Sequence, residues 1–372
     1  METSRLIRIE SLESLRGLAE WWDDLWLRGA ATLPLFRAEM LAQWVERFSR
    51  SGDFFAIAAE TAGGLSAALP LLRGGKAASG WMRLPPFSRA ATMPGNQWSA
   101  AGDLLLDESD SSDRALQCLA EGIRASGVRL LRLDEVELDS VRWRRFLRVC
   151  VEAGMSVAAL PRWEVGQVEI DHDWPAYKAR WSRKHRQQMA QSARRLAERG
   201  KTRLEVHSRL ADEEVEHVLR CCFDIEDRSW KGAAGTSVLR SPGMVEFFLR
   251  QARQAARWGQ LEIVTLNCDG CPIAFSYGLA AKGVFHSTKI GYDPQFAEFR
   301  PGQLLRCFLL ERCFADRAWK ALDFQGELTP SHAAWLPRRY SIGRVLIAPR
   351  SMPGRIAVWG CKHVRPWMRR GL

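Results

Sequence analysis

The sequence of 372 residues lacks any long apolar run, because no window approaches 18 consecutive apolar residues. We therefore expect no membrane-spanning helix, which needs about 20 such residues. The first 22 residues alternate charged with apolar side chains and offer no apolar region of the kind found in secretory signal peptides. With no sign of export, the nine cysteines are most simply read as reduced thiols of a cytoplasmic protein.

Several catalytic signatures are also missing. The sequence contains no G-x-S-x-G elbow and no Walker A motif, so hydrolase and NTPase functions lack their usual marks. Cys268 and Cys271 form a CxxC pair across a predicted turn at Asp269–Gly270, but no second pair follows at zinc-finger spacing. We therefore expect no metal site.

Acidic residues are nearly absent from two segments of a chain whose formal net charge is +11. Residues 180–203 carry nine basic side chains and one acid, and residues 338–372 carry nine basic side chains and no acid. The other 313 residues have a net charge of −6. An anionic partner would therefore bind through one of these two segments.

The predicted helices and strands form two similar series along the chain. Each series has two helices, a hairpin, a further strand, a helix and a last strand. The hairpins align at an offset of 206 residues, which places Ile57 on Ile263 and Ala68 on Ala274. This order predicts an α/β fold made of two tandem units, each a mixed sheet flanked by helices.

Particular motifs in residues 160–330 resemble a known superfamily. The runs YDPQFAEFRPGQLL and ALDFQGE, the hairpin DGCPIAFSYG and the segments WSRKHRQQMAQSARRL and SWKGAAGTS are similar to GNAT-superfamily acyltransferases. The similarity is to the CelD-like or BioF-like acetyltransferase branch, a relative of Fem-type peptidoglycan bridge transferases. It implies a degenerate GNAT-like unit over 1–160, an acyltransferase unit over 161–350 and a basic tail over 351–372.

A predicted helix start at Arg300-Pro301-Gly302 is suited to phosphate, because helix N-termini expose unpaired N–H groups. By pattern alone, an ordinary strand-to-helix turn is the alternative. The resemblance implies that this turn holds the pyrophosphate of acetyl-CoA through Arg300, Gly302, Gln303 and Leu304. It also implies that backbone amides around Thr288 and Ile290 polarise the thioester carbonyl.

Glu226 is one candidate general base. Trp230 follows it at a spacing of four residues, which places both on one helix face. An apolar wall beside a carboxylate would raise its pKa, so we expect a raised pKa for Glu226. Trp230 and Lys231 are the neighbouring candidates for substrate binding. A solvated acidic face is the alternative interpretation.

His332 is the second candidate base, since an unperturbed imidazole has a pKa near neutrality. It stands where the related sequences usually have a lysine, and a surface histidine is the alternative. Asp323 lies at the end of the preceding strand, where sites of α/β proteins gather, and it is a candidate for substrate binding or for a structural role.

The basic helix contributes Lys184 and Arg186 as candidates for binding a donor phosphate, an acidic glycan or tRNA. A solvated face is the alternative. The mixture of apolar and basic residues over 355–372 suits an anionic membrane surface, or else a solvated tail.

Together these features predict an acyltransferase that moves an acetyl group from acetyl-CoA to an amine or hydroxyl. The acceptor would be a small molecule or a glycan, and the family resemblance suggests exopolysaccharide or cell-envelope synthesis. The alternatives are an aminoacyl-tRNA-dependent transferase of the Fem type and a non-catalytic scaffold. The expected location is cytoplasmic, with peripheral contact at the inner membrane face.

Overall fold

The computed structural model describes residues 4–74, 89–349 and 351–363. The chain forms two compact units: Met1–Trp163 with Tyr340–Leu372 is unit 1, and Glu164–Arg339 is unit 2. The predicted α/β class with two tandem units is confirmed. No helix in the described ranges is both long and apolar enough to cross a membrane.

The described strands, in chain order, are β1 (Arg5–Ile9), β2 (Phe54–Thr61), β3 (Gly64–Arg73), β4 (Ala90–Thr92), β5 (Gly95–Asn96), β6 (Ser99–Ala100), β7 (Leu105–Leu106), β8 (Leu130–Glu137), β9 (Ser156–Glu169), β10 (Thr202–His207), β11 (Leu261–Cys268), β12 (Cys271–Ala281), β13 (Val284–Tyr292), β14 (Ala321–Glu327) and β15 (Arg338–Ala348). The described α-helices are α1 (Leu12–Gly17), α2 (Ala19–Arg28), α3 (Ala38–Phe48), α4 (Arg114–Ala125), α5 (Val141–Glu152), α6 (Trp174–Ala179), α7 (Arg183–Arg199), α8 (Asp212–Arg228), α9 (Trp230–Ala233), α10 (Met244–Arg257), α11 (Pro301–Ala315), α12 (Pro330–Ala333) and α13 (Met352–His363).

Unit 1 is built on strands in the order β1-β2-β3-β4-β8-β15. The pairs are antiparallel except for β4 with β8, which run parallel and are joined through α4. The two strands of the hairpin, β2 and β3, are almost wholly buried. They pack in one apolar cluster with α4 and α5, whose buried side chains include Leu119, Trp143 and Phe146.

Unit 2 has strands in the order β10-β11-β12-β13-β14-β9. Its parallel pair is β13 with β14, joined through α11, and its other pairs are antiparallel. Helices α8 and α10 precede the β11–β12 hairpin, as the sequence pattern predicted. An aromatic cluster that includes Tyr177, Trp181, Phe285 and Trp335 fills the core beside α11.

Several boundaries differ from the sequence-based expectations. The unit boundary between Trp163 and Glu164 lies inside β9, where we expected it at 160. Strand β15 was not anticipated, because the basic composition of 338–372 obscured its alternating apolar residues. From Tyr340 onward it belongs to unit 1 rather than to the expected 161–350 unit. The expected tail begins with an ordered helix, α13, whose Val358 is buried, and residues 364–372 lie outside the described part.

Candidate active site

The parallel strands β13 and β14 separate after a short paired stretch. They pair only from Val284 with Ala321 to His286 with Asp323, and β13 then continues to Tyr292. The burial of β13 changes at the same point, from three buried residues to partly exposed ones. In the described residues, the second half of β13 therefore has a strand partner only on its β12 side.

A β-bulge lies in this second half of β13. Tyr277 of β12 pairs with Lys289, and Gly278 pairs with Ser287, so Thr288 is the extra residue. Its hydroxyl donates to the Tyr277 carbonyl oxygen at 2.9 Å, which holds the bulge in place. Bulges redirect the backbone beside them and are common next to active sites. The bulge thus falls among the residues whose amides were predicted to polarise a carbonyl, Thr288 to Ile290.

Helix α11 begins close to the end of β13. Its N-cap, Arg300, has a left-handed backbone with φ 54°, which is uncommon for a residue with a side chain and marks local strain. A Cβ built at Gly302 would lie 3.8 Å from the Tyr292 ring, so the last residue of β13 borders the first turn of α11. The Arg300 side chain is exposed and forms no ion pair with any described residue.

The first turn of α11 offers fewer amides than the sequence suggested. The amides of Gln303 and Leu304 both donate to the Arg300 carbonyl oxygen, at 2.9 and 3.1 Å. Pro301 has no N–H, so Gly302 retains the one first-turn amide without a partner in the described chain. The prediction that the Gln303 and Leu304 amides are available for phosphate is wrong for this structure.

The side chains of these two residues have structural roles instead. The Gln303 side-chain oxygen accepts a hydrogen bond from the Trp335 indole N–H at 2.9 Å. Leu304 is 1% exposed and packs in an apolar cluster with Leu196 and Phe299. Of the four residues predicted at this turn, Arg300 and Gly302 therefore keep groups without a partner in the described chain.

Glu226 is fully buried at the end of α8. Its Oε1 atom lies 2.8 Å from Lys231 Nζ and 2.9 Å from Lys289 Nζ, and its Oε2 atom accepts from the Val238 amide at 3.0 Å. Burial opposes ionisation, but the two ammonium groups outweigh it and lower the pKa of Glu226 below its usual value. The prediction of a raised pKa is wrong, because the two lysines stabilise the ionised carboxylate.

Trp230 does not form the apolar wall that we expected beside this carboxylate. Its side chain is 71% exposed, and it begins the short helix α9. The neighbouring Lys231 instead reaches Glu226 and also donates to the Ile290 carbonyl oxygen at 3.4 Å. Lys231, Glu226 and β13 are thereby brought together, while Trp230 and Ile290 remain exposed apolar side chains.

His332 lies on α12, and its ring is 4.9 Å from that of Phe324, in the middle of β14. Its Nδ1 atom is 3.2 Å from the Glu327 carbonyl oxygen, which can only accept, so Nδ1 carries the proton. Burial, together with the positive charge of Arg306, lowers the pKa of His332 to about 4. The imidazole is therefore neutral at physiological pH, and Nε2 is a hydrogen-bond acceptor.

Asp323 is 3% exposed and is engaged within the fold. One carboxylate oxygen accepts from the Gln325 amide at 2.8 Å, and the other accepts from the Gln167 side chain at 3.3 Å. These bonds fix the end of β14 where it leaves β13. The structure supports the structural interpretation of Asp323, not substrate binding.

The basic helix α7 packs through one face and exposes its charges on the others. His185, Met189 and Leu196 are buried at spacings of four and seven residues. Lys184 is exposed, whereas Arg186 donates to the carbonyl oxygens of Ala179, at 3.0 Å, and Trp181, at 2.5 Å. Arg186 therefore completes the end of α6, and Lys184 remains accessible for an anionic ligand.

Two groups near β14 were missed from the sequence. The Gln325 side-chain amide lies 3.0 Å from His286 Nδ1, which links the two strands where they separate. Arg306 is 8% exposed on α11, inside the run QLLRCFLL. A single charge within an otherwise apolar stretch was the available signal for Arg306, whereas nothing in the sequence marked the Gln325–His286 pair.

The cysteines form no evident site. All nine are free thiols, with Cys268 buried and Cys271 exposed across the β11–β12 turn. Within the described ranges, no group of three or more His, Cys, Asp or Glu side chains is placed to hold a metal ion.

Comparison with known proteins identifies part of the chain by family. Residues 183–330 match the family model described as an acetyltransferase (GNAT) domain. No protein of curated function matches the chain in sequence.

Several solved structures share the fold across nearly the whole chain. FemX has a TM-score of 0.57 at 11% identity, covering 88% of this chain and 95% of FemX. L-PGS from Bacillus licheniformis has a TM-score of 0.53 at 12% identity, covering 93% and 95%. The C-terminal domain of an Agrobacterium fabrum protein described as a lysylphosphatidylglycerol synthetase has a TM-score of 0.54 at 14% identity, with the same coverage.

The structural matches cover about nine tenths of the chain, whereas the family model lies within unit 2. The chain therefore carries a GNAT-type acetyltransferase domain over residues 183–330 and shares its overall fold with FemX and with lysylphosphatidylglycerol synthetase domains.

Proposed function

We propose that unit 2 transfers an acetyl group from acetyl-CoA to the amine or hydroxyl of a small-molecule or glycan acceptor. One observation carries the proposal: β13 leaves β14 at His286, bulges at Thr288 and ends beside a helix start with an unpaired cation and an unpaired amide. This arrangement offers a narrow opening between strands, with anion-binding groups at one end.

The donor would be held by a small set of groups. The Arg300 guanidinium and the Gly302 amide fit the charged phosphates, since both donate hydrogen bonds and both lack a partner in the described chain. The exposed side chains of Trp230, Ile290 and Tyr292 supply apolar surface along β13 for the rest of the donor. In this proposal, backbone N–H groups from Thr288 to Ile290 stabilise the negative charge that develops on the carbonyl oxygen.

In the reaction, the acceptor nitrogen or oxygen bonds to the acyl carbon, the carbon–sulfur bond breaks, coenzyme A leaves as its thiolate, and the acceptor's proton passes to a base. His332 is neutral with a free Nε2 acceptor, so it is the candidate to take that proton. Glu226 is not suited to this task, because it is fully buried and both of its carboxylate oxygens already have partners within the fold. We assign Glu226 the task of fixing Lys231 and Lys289 beside β13.

A thermal-shift series with acetyl-CoA, longer acyl-CoAs and tRNA tests this proposal, because a ligand that binds only the native state raises the melting temperature. We expect saturable stabilisation by acetyl-CoA in wild type. The response should be much weaker in Arg300→Glu. Absence of any saturable response to acyl-CoA would support a non-catalytic scaffold instead.

A tRNA-dependent transferase of the Fem type is the second candidate, favoured by the exposed basic residues of α7, such as Arg183 and Lys184. It predicts stabilisation by aminoacyl-tRNA but not by acetyl-CoA. Its binding should weaken steeply with salt, since each phosphate contact releases counterions.

Peripheral membrane contact through α13 also forms part of the proposal. Met352, Ile356 and Trp359 are 60% or more exposed and lie on one face of this helix. Arg355 and Lys362 are on the same helix, which has no acidic residue. An apolar face beside basic residues is typical of helices that bind anionic lipid surfaces.

Ile356→Glu with Trp359→Glu should reduce sedimentation with phosphatidylglycerol-containing vesicles while leaving the buried Val358 in place. Neutral phosphatidylcholine vesicles are the control. Equal binding to both vesicle types, or no effect of the substitutions, would remove this part of the proposal. A cytoplasmic site of action in exopolysaccharide or envelope synthesis remains the expected context.

A further inference from the structure

Arg306 is a buried cation in unit 2 that the donor site does not use. It lies in the second turn of α11, is 8% exposed and forms no ion pair or hydrogen bond with any described residue. Its guanidinium lies 4.6 Å from the centroid of the Phe324 ring. Burying a charge without a partner is unfavourable by several kcal/mol, which indicates that an anion completes this place.

Among the residues that the structure describes, no acid pairs with Arg306, and the polar group that acts on it is Tyr177. The closest acid in sequence to Phe324 is Asp323, which accepts from Gln325 and Gln167 instead. The Tyr177 hydroxyl is committed to the Trp335 carbonyl oxygen. Burial lowers the pKa of Arg306 to about 10, so the guanidinium still carries its charge at neutral pH.

The side chains around Arg306 reach the surface on one side. We call this group the Arg306 cluster; it consists of Arg306, Phe324, His332, Gln303 and Trp335. Gln303 precedes Arg306 by three residues on α11 and is half-buried, as is His332. The Gln303 bond to Trp335 and the His332 bond to the Glu327 carbonyl fix the positions of both side chains. Gln303 and His332 are the more exposed members of the cluster, so a ligand that approaches Arg306 from solvent would meet these two side chains first.

The charges of the cluster limit the class of ligand. Arg306 supplies one positive charge, and His332 is neutral with an unprotonated Nε2. A single carboxylate would balance the charge and pair with the planar guanidinium through two hydrogen bonds. A phosphate dianion would leave a surplus negative charge against the aromatic rings of Phe324 and Trp335.

We propose that Arg306 binds the carboxylate of the acyl acceptor, with His332 beside the acceptor's nucleophilic group, so that the acceptor is a small organic acid. This inference rests on the proposed function for the role of the ligand. The binding of a carboxylate at Arg306 does not depend on it.

The test uses benzoate as the carboxylate probe, benzamide as its neutral counterpart and inorganic phosphate as the dianion. Each is titrated against wild type, Arg306→Met, Arg306→Lys and Arg312→Lys at neutral pH, with melting temperature as the readout. Arg312→Lys is the matched control, because Arg312 is on the same helix and pairs with Glu262 at 2.6 Å.

We expect benzoate to stabilise wild type and the Arg312 variant, and benzamide to have no comparable effect. The apparent affinity for benzoate should fall about tenfold or more in Arg306→Met. Arg306→Lys should show an intermediate loss, since lysine keeps the charge but not the paired donors. Without ligand, Arg306→Met should melt no lower than wild type, because it removes an unpaired buried charge.

Equal responses to benzoate and benzamide, or undiminished benzoate binding in both Arg306 variants, would overturn the inference. Tighter binding of phosphate than of benzoate would overturn the carboxylate class. If Arg306→Met does not fold, Arg306→Lys decides the result. Acetyl-CoA is titrated in the same way, which separates the two proposals. Stabilisation by acetyl-CoA but not by benzoate would reject only the proposed carboxylate site. Stabilisation by benzoate but not by acetyl-CoA would reject only the proposed donor site.

Discussion

Units 1 and 2 follow the same plan but differ at the helix that joins their parallel strands. Each has an edge strand, a group of helices, a buried hairpin, a third strand antiparallel to the hairpin, a crossover helix and a parallel fourth strand. In both units the residue before the crossover helix is left-handed: Asp113 has φ 56° and Arg300 has φ 54°. Asp113 and Arg300 therefore occupy equivalent positions in the two units.

In unit 1 the helix start is occupied by the protein's own groups. The Asp113 carboxylate is bound by Arg145, at 2.7 Å, and by Arg148. In unit 2 the equivalent residue is an exposed arginine without a carboxylate partner in the described chain, followed by Pro301 and Gly302. At the first helix start a carboxylate is already bound by two arginines, whereas the second start offers an arginine to an anionic ligand.

The third strands differ as well. Strand β4 has three residues and pairs with β8 along its whole length, from Ala90 to Thr92. Strand β13 has nine residues, of which three pair with β14, and it contains the bulge at Thr288. The third strand thus continues past the parallel pairing in unit 2 but not in unit 1, which favours unit 2 for the proposed donor binding.

The largest expected effect is on the stability of unit 2. Glu226→Gln would remove the negative charge between Lys289, which is largely buried, and Lys231, which is partly exposed, so we expect a loss of about 3 kcal/mol in the free energy of unfolding. Urea unfolding measures this loss. Glu213→Gln, at an exposed position of the same helix, is the matched control and should change stability by less than about 0.5 kcal/mol.

The contribution of Glu226 to the free energy of unfolding depends on pH. Because its pKa is lower in the folded protein, the contribution is present above the ordinary glutamate pKa and is lost as the pH falls through the lowered value. The difference between wild type and Glu226→Gln should therefore narrow only in acid. If the difference in stability between wild type and Glu226→Gln narrowed near neutral pH, this would contradict the stabilisation of the ionised Glu226 carboxylate by the two lysines.

His332→Ala should lower kcat by about 100-fold if His332 takes the acceptor's proton. The activity of wild type should decline only as the pH approaches about 4, since burial and Arg306 lower the pKa of His332 to that value. His217→Ala, an exposed histidine on α8, is the control. Retention of full activity by His332→Ala with an identified acceptor would end its assignment as the base.

Arg300→Glu should weaken acetyl-CoA binding by about tenfold or more, because it places a negative charge beside the donor's phosphates. The effect should diminish as salt is raised. Asp113→Asn is the counterpart in unit 1, and we expect it to leave acetyl-CoA affinity within about twofold of wild type. Equal effects of the two substitutions on affinity would contradict the division of roles between the units.

Lys184→Ala should have the smallest effect. Lys184 is exposed on α7 without a partner in the described residues, so we expect stability within about 0.5 kcal/mol of wild type and unchanged acetyl-CoA affinity. Filter binding measures the affinity of the same variant for tRNA. A marked loss of tRNA affinity in Lys184→Ala would favour the Fem-type candidate.

Local patterns predicted the elements of this fold better than they predicted the site. The similar order of elements in the two halves and the basic helix were anticipated from local patterns in the sequence. Strand β15 was not anticipated, since its pairing with β8 depends on residues more than 200 positions away.

The chemistry of the site was less accessible from sequence, because it depends on which charges meet in space. Glu226 and Trp230 share a helix spacing, but the short helix α9 exposes Trp230, and β13 brings Lys289 to the carboxylate. The amides of Gln303 and Leu304 were counted as free, but the left-handed Arg300 turns its carbonyl oxygen toward both. No local pattern in the sequence encodes these contacts.

We propose that one of the two similar units, unit 2, binds the acetyl donor. Isothermal titration of the full chain with acetyl-CoA measures the number of binding sites directly. We expect one binding site per chain, which is lost or strongly weakened in Arg300→Glu and retained in Asp113→Asn. Two sites per chain, or a single site that depends on Asp113 and not on Arg300, would contradict it.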